Sequence, residues 1–202
     1  MSEFGAILLA GGRGSRMGGI RKPLLEVGGR TLLDAAITAA RDAGCDPVVG
    51  VGDDAIAVSA LARALTWVRE DPPFGGPVAA ILAALPLIDA PRTIVLACDL
   101  PRVEAAVAAL AAAAPGEDGV CLEDAAGRRQ WLTAIYRTEA LRSAAAGVPD
   151  AGAGGSARSL LGALSLTTVA ASAEGAGDDH AFDLAFDIDT WDDLTEARRR
   201  NP

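Results

Sequence analysis

The chain has 202 residues, half of them hydrophobic, enough to bury roughly 70% of the surface its unfolded form exposes, so folding requires no disulfide or metal staple. A formal net charge of -9 and a pI near 4.6 exclude a general affinity for nucleic acid or anionic membrane, since both depend on neutralising phosphates with Lys and Arg. Cys45, Cys98 and Cys121 are odd in number, far apart and free of any Cys-x-x-Cys, the pattern of reduced core thiols rather than of a disulfide framework or zinc site.

No charged, apolar, small-residue leader opens the chain and no apolar run approaches the roughly 18 residues that span a bilayer, so a soluble cytoplasmic protein is expected. One domain, residues 1–202, is the default for this length. The basic residues are seventeen arginines and a single lysine, Lys22. Lysine is a compact, strongly hydrated point charge, and a site needing that shape does not accept a planar guanidinium instead.

Short β-rich runs alternate with Ala-rich amphipathic segments, which predicts an α/β fold: a mostly parallel sheet covered by helices on both faces, a three-layer Rossmann-like arrangement. In chain order the predicted strands are 5–10, 47–51, 66–69, 93–98, 119–122, 130–136, 164–169 and 185–188. Helices are predicted at 32–43, 55–64, 77–85, 103–114, 139–145, 156–161 and 191–199, the last started by Thr190 as N-cap with Asp193 three residues on. The Gly- and Ala-rich stretch 147–155 and the small, acidic stretch 170–179 read as mobile loops.

The first strand empties into Gly11-Gly12-Arg13-Gly14-Ser15-Arg16-Met17-Gly18-Gly19. A glycine-rich turn after a strand exposes backbone N–H groups at a crevice, and glycine lets them approach phosphate oxygens with no Cβ in the way. Over the first thirty residues Arg13, Arg16, Arg21, Lys22 and Arg30 face only Glu3 and Glu26. Two common phosphate motifs fail: Lys22 sits between Arg21 and Pro23 rather than between Gly and Ser or Thr, and Gly12 and Gly14 are followed by Met17 where a dinucleotide loop needs glycine.

Leu9-Ala10-Gly11-Gly12, Ser15-Arg16-Met17-Gly18 and Lys22-Pro23-Leu24 instead resemble the opening of the nucleotidyltransferase superfamily, with its nucleotide-diphospho-sugar-transferase-like fold. Such enzymes attach a nucleoside monophosphate to a phosphorylated acceptor and release pyrophosphate. Transfer of this kind needs in-line positioning and charge neutralisation, which Mg2+ supplies when held by one or two carboxylates together with phosphate oxygens and water.

Asp99 follows a predicted strand and precedes Leu100-Pro101, the setting in which the superfamily carries its metal aspartate. Asp187 and Asp189 flank Ile188 near the end of another predicted strand, where a period of two puts both on one face beside Asp99; Asp189 is the candidate second metal ligand. Within the superfamily the chain most resembles molybdenum cofactor guanylyltransferases. The resemblance is carried by the 9–24 loop, the 71–77 segment, Cys98-Asp99-Leu100-Pro101, Gln130-Trp131-Leu132 leading to Tyr136-Arg137, and Asp187-Ile188-Asp189-Thr190.

This resemblance implies GTP and molybdopterin as substrates and Mg2+ as cofactor. Leu9, Ala10, Gly11, Gly12, Arg13, Lys22, Asp71 and Asp99 are expected at the nucleotide, Asp71 on the guanine or ribose, and Arg16, Lys22 and Asp99 in catalysis. The N-terminal half is expected to bind the nucleotide and the C-terminal half the acceptor, with Arg128, Arg137 and Arg158 as candidates for its anionic group. His180 lies in an acidic loop and is expected to be solvated, not catalytic.

Several positions depart from the family. Arg21 stands where Asp is frequent, Gly50 where Asn is frequent, and Trp131 where Pro is usual. The Asp187 and Asp189 pair is closer to related cytidylyltransferases than to the guanylyl enzymes, which frequently carry asparagines there. A nucleotidyltransferase using CTP or another phosphorylated acceptor, and a non-catalytic nucleotide-binding module, are the alternatives; a nicotinamide-dependent oxidoreductase is disfavoured by the failed glycine spacing.

Overall fold

Alternation along strand β1 (Phe4–Leu9) sends Ala6 and Leu8 to one face and Ile7 and Leu9 to the other, so β1 has to be covered on both sides. The computed structural model describes residues 2–12, 15–71, 73–149, 152–172 and 183–201, and in it β1 lies inside a seven-stranded sheet. The chain continues through β2 (Glu26–Val27), β3 (Arg30–Thr31), α1 (Leu32–Asp42), β4 (Cys45–Val51), α2 (Ala60–Arg63), β5 (Thr66–Val68) and α3 (Pro77–Ala84). There follow β6 (Arg92–Ala97), α4 (Val103–Ala112), β7 (Gly119–Glu123), β8 (Arg129–Arg137), α5 (Thr138–Ala146), α6 (Ala157–Leu161), β9 (Leu166–Ala170) and α7 (Trp191–Arg200).

The sheet order is β5-β4-β1-β6-β8-β7-β9. Pairs β5/β4, β4/β1, β1/β6 and β7/β9 are parallel, whereas β8 runs antiparallel to both β6 and β7. Helices α1, α2 and α4 pack with Leu8, Ile94 and Leu96 on one face; α3, α5 and α6 pack with Ile7, Val95 and Tyr136 on the other. The mostly parallel three-layer α/β/α expectation therefore holds. From β1 the chain first adds β4 and β5 on one side and then β6 on the other, and such a reversal opens a crevice beyond the carboxyl ends of the strands.

Two local expectations are corrected and one hairpin is added. The helix expected over 55–64 is two pieces, a 3-10 turn Asp54–Ile56 and the short α2, because both Asp53 and Ser59 act as N-caps, accepting from the N–H of Ala55 and of Ala62. The expected strand at 185–188 does not form: Phe186 N–H closes a turn on the Asp183 carbonyl, and Ile188 donates to Asp99 O at 3.0 Å with no ladder around it. The hairpin β2/β3 was not anticipated; Gly28 and Gly29, with φ of 59° and 77°, form its two-residue turn.

The glycine-rich stretch 147–155 is described except at 150 and 151, and Gly154 N–H donates to Gly75 O at 2.8 Å, so it braces the segment before α3. Most of the loop expected at 170–179 (residues 173–179) and His180 lie outside the described residues. All three cysteines are buried and free. No helix among the described residues is long and apolar enough to cross a membrane.

Candidate active site

Parallel register places Leu9 opposite Val51 on one side and Ala97 on the other, so the residues that follow all three strands emerge at one edge. Ala10 N–H donates to Val51 O at 2.9 Å and Cys98 N–H to Leu9 O at 3.2 Å, which prolongs the pairing into the crevice. Gly11 and Gly12 then leave the sheet as exposed backbone. The close neighbour of Gly11 is Gly52, at φ 148°, where an added Cβ would lie 3.1 Å from Gly11 N and 3.2 Å from the Ala10 carbonyl carbon. A glycine at the end of β4 is thus a condition for the shape of the loop after β1.

Met17 anchors the other end of that loop. It is buried with Leu32, Ile188 and Leu194 in a small apolar cluster between the loop and α7. Burial of Met17 leaves its neighbour Arg16 at the surface, where a guanidinium Nη1 donates to Asp189 Oδ2. Lys22 begins a 3-10 turn held by buried Pro23, and its Nζ donates to Asp189 Oδ1. Asp189 therefore bridges the lone lysine and Arg16, and these contacts, led by the Lys22 hydrogen bond, hold its carboxyl below the usual range.

Asp99 follows β6 at the same edge. The bond from Ile188 N–H to Asp99 O, with Ile188 fully buried, fixes the 187–189 segment against it, so carboxylates on both sides of Ile188 reach the site without a strand. Burial, then the Asp187 carboxylate, pushes the Asp99 carboxyl up to about 6; Lys22 opposes this and Asp189 adds to it. Asp187 is raised as well, by desolvation first and Asp189 next. Among the described residues no three His, Cys, Asp or Glu side chains converge into a complete metal cage. The site offers instead one half-buried carboxylate with two more in electrostatic reach, a donor set suited to a hard cation that completes its shell with phosphate oxygens and water.

The crevice contains two chambers of about 440 and 370 Å³ that share Gly11, Gly12, Glu70 and Phe74. The first extends towards Arg21, Asp53 and Arg69; the second runs past Leu9 and Pro77 to Asp99 and Leu132. Leu9, Ala10, Gly11, Gly12 and Asp99 thus line one cleft, and Arg16 and Lys22 are joined to Asp189 by ion pairs, Lys22 and Asp189 lying within electrostatic reach of Asp99. Arg13 lies outside the described residues. Asp71 is exposed, whereas the adjacent Glu70 is buried, lines both chambers and accepts from Phe74 N–H at 3.1 Å.

Glu70, Phe74, Asp53 and Arg69 escaped the sequence reading. Glu70 and Phe74 sit within or beside a segment already singled out, but nothing in the residue order tells which carboxylate turns inward. Two departures find a physical setting. Arg21 Nη2 lies 3.4 Å from Asp53 Oδ2, so an aspartate at 21 would face a like charge. A Cβ at Gly50 would come within 2.7 Å of the Trp67 indole, which occupies the space that Asn would need.

The arginines expected at the acceptor diverge. Arg128 is held by Asp124 in the β7–β8 turn, with Nε to Oδ2 at 2.7 Å. Arg158 is exposed at the start of α6. Arg137 pairs in register with Arg92 at the start of β6 and with Asp118 at 3.3 Å, which puts it at the opposite edge of the sheet from Asp99. That excludes Arg137 from the cleft; β8 is antiparallel, so its end, unlike that of β6, points away.

Comparison with known proteins gives the family and the fold. The chain is 38% identical over 101 residues to the molybdenum cofactor guanylyltransferase of Pseudomonas syringae pv. syringae (strain B728a), covering 50% of each chain. It is 42% identical over 121 residues to that of Bradyrhizobium sp. (strain ORS 278), covering 55% of each. The chain thus spans about half the length of the curated relatives it matches. A nucleotidyl transferase from Methanothermobacter thermautotroptrophicus shares the fold with a TM-score of 0.71 at 22% identity, over 98% of this chain and 97% of that one. Residues 6–169 match the family model of the MobA-like NTP transferase domain, and the chain belongs to that family.

Proposed function

We propose that the chain transfers GMP from GTP to the terminal phosphate of molybdopterin, forming molybdopterin guanine dinucleotide and releasing pyrophosphate, as a single domain whose N-terminal half takes the nucleotide. The observation that supports this most is the meeting of the Gly11-Gly12 backbone, Lys22, Arg16 and Asp99 at one sheet edge, in a chain whose relatives are named guanylyltransferases. The exposed amides after β1, with Lys22 and Arg16, bind the β- and γ-phosphates; Asp189 holds both cations together before the nucleotide arrives. Leu9, Ala10 and Asp99 flank the nucleoside and α-phosphate, and Arg13 and Asp71 complete the expected set at the nucleotide.

Asp99, with Asp189 as second ligand, would hold Mg2+, which when bound neutralises charge on the α-phosphate and on leaving pyrophosphate. The acceptor phosphate attacks phosphorus in line as the bond to pyrophosphate breaks. A terminal phosphate is nucleophilic at neutral pH, so no protein base is needed. Lys22 stabilises the charge that accumulates on the leaving group.

A second reading, CTP in place of GTP, is favoured by carboxylates rather than amides on both sides of Ile188. Incubation with Mg2+, molybdopterin and each of GTP, CTP and ATP, followed by acceptor-dependent pyrophosphate release, separates the two. The proposal expects release with GTP. Release with CTP alone would support the second reading, and nucleotide binding without release from any pairing would indicate a binding module.

A further inference from the structure

The segment between β5 and α3 carries a backbone feature that the chemistry at Asp99 does not use. Phe74 has φ 62°, a left-handed conformation that bulky side chains rarely adopt, and it is the one non-glycine residue with positive φ among the described residues. A glycine would take this conformation without strain, so the turn alone does not call for phenylalanine. Gly75 and Gly76 follow directly, and the latter supplies φ 92° of its own.

Two contacts hold the turn from outside. Glu70, buried in the cleft wall, accepts from the Phe74 N–H, and Gly75 O accepts from the Gly154 N–H. Strained residues braced in this way concentrate at ligand clamps. The braced side chain is a flat apolar ring, 53% exposed, on the wall shared by the two chambers that also contain Gly11 and Gly12. A planar partner laid on that ring would remove apolar surface from water, and a nucleotide base offers such a face.

We propose that Phe74 is the stacking surface for the base of the bound nucleoside triphosphate, and that Glu70 is the positioning residue that fixes its backbone. The proposal rests on reading the cleft as a nucleoside triphosphate site. Stacking on an aromatic ring tolerates any base, so Phe74 contributes affinity, while polar groups around it choose the base. Replacing Glu70 should act through Phe74.

The test uses the full chain with Mg2+ and no acceptor, measuring affinity for GTP and, as a base-free probe, for inorganic tripolyphosphate. Phe74→Gly keeps the turn and removes the ring. It should weaken GTP by roughly 5- to 150-fold, which is ~1–3 kcal/mol of stacking at about 1.4 kcal/mol per tenfold, and leave tripolyphosphate unchanged. Phe74→Tyr should restore GTP. Glu70→Ala should reproduce part of the loss, and Glu70→Gln, whose amide oxygen still accepts from the Phe74 N–H, should recover it. Undiminished GTP affinity in Phe74→Gly, or equal loss of GTP and tripolyphosphate, would overturn the proposal; a Glu70→Gln loss equal to that of Glu70→Ala would overturn the positioning role. A wild-type chain that binds tripolyphosphate but shows no gain for any nucleoside triphosphate would overturn the reading of the cleft, and the stacking with it.

Discussion

Lys22 is the chain's only lysine, and the structure places it beside Asp189 and within electrostatic reach of Asp99. If it binds phosphate as proposed, Lys22→Ala should weaken GTP by roughly 10- to 150-fold, the range for one charge-assisted hydrogen bond, and Lys22→Arg should not fully restore it, because a planar guanidinium does not reproduce the compact point charge of the ammonium. Titration calorimetry with each variant reads this directly. Asp99 gives a second expectation. Its carboxyl, raised from 3.8 to about 6, binds a proton more tightly in the folded chain than in the unfolded one. Its contribution to metal-free stability is therefore fully present below about 3.8 and lost as pH rises through about 6. Asp189, lowered by Lys22, works in the opposite sense, its contribution being lost only as pH falls below the usual carboxylate range. Thermal unfolding between pH 5 and 7.5 should show Asp99→Asn removing a destabilisation present at the higher pH, and Mg2+ stabilising the wild type more at pH 7.5 than at pH 5. Equal Mg2+ stabilisation at both would remove Asp99 from the metal site.

At the scale of elements, the loop after β1 depends on neighbours distant in sequence. Gly52→Ala would introduce a Cβ 3.1 Å from Gly11 N at a φ of 148°, and should destabilise the protein by about 1–3 kcal/mol and weaken nucleotide binding together. Denaturant unfolding and GTP affinity measured on the same variant test the coupling. The last helix behaves similarly. Thr190 accepts from Asp193 N–H, and Asp193 accepts from the N–H groups of both Thr190 and Asp189. Loss of this capping box in Thr190→Ala should cost about 1 kcal/mol and loosen Asp189, seen as weaker Mg2+ stabilisation.

The same elements show what was legible in the residues. The glycine run after β1, the strands of the sheet and the Thr190 cap were readable because their signals are local. Asp187 and Asp189 were read onto one face of a strand by its period of two, and they reach Asp99 for another reason: no strand forms, and Ile188 between them is buried and hydrogen-bonded to Asp99. Arg137 was misplaced because its position depends on β8 running antiparallel between β6 and β7, which no local pattern encodes. Glu70 and Asp71 are adjacent carboxylates, and only the Phe74 turn decides that Glu70 faces the cleft.

At the scale of the whole molecule, an acidic chain pairs its single lysine and Arg16 with one carboxylate, Asp189. The interior is correspondingly inert. Burial pushes the Cys45 thiol up to about 12 and Cys121 up to about 11, and raises Cys98 further with help from Asp99. Iodoacetamide at pH 8 should therefore leave the folded protein unmodified and label all three thiols in denaturant, as mass spectrometry would record. With GTP labelled at the α-phosphate, Mg2+ and molybdopterin, the label should appear in a molybdopterin dinucleotide while unlabelled pyrophosphate is released, and Asp99→Asn should abolish both. Label recovered as free GMP, or transfer undiminished in Asp99→Asn, would contradict the account.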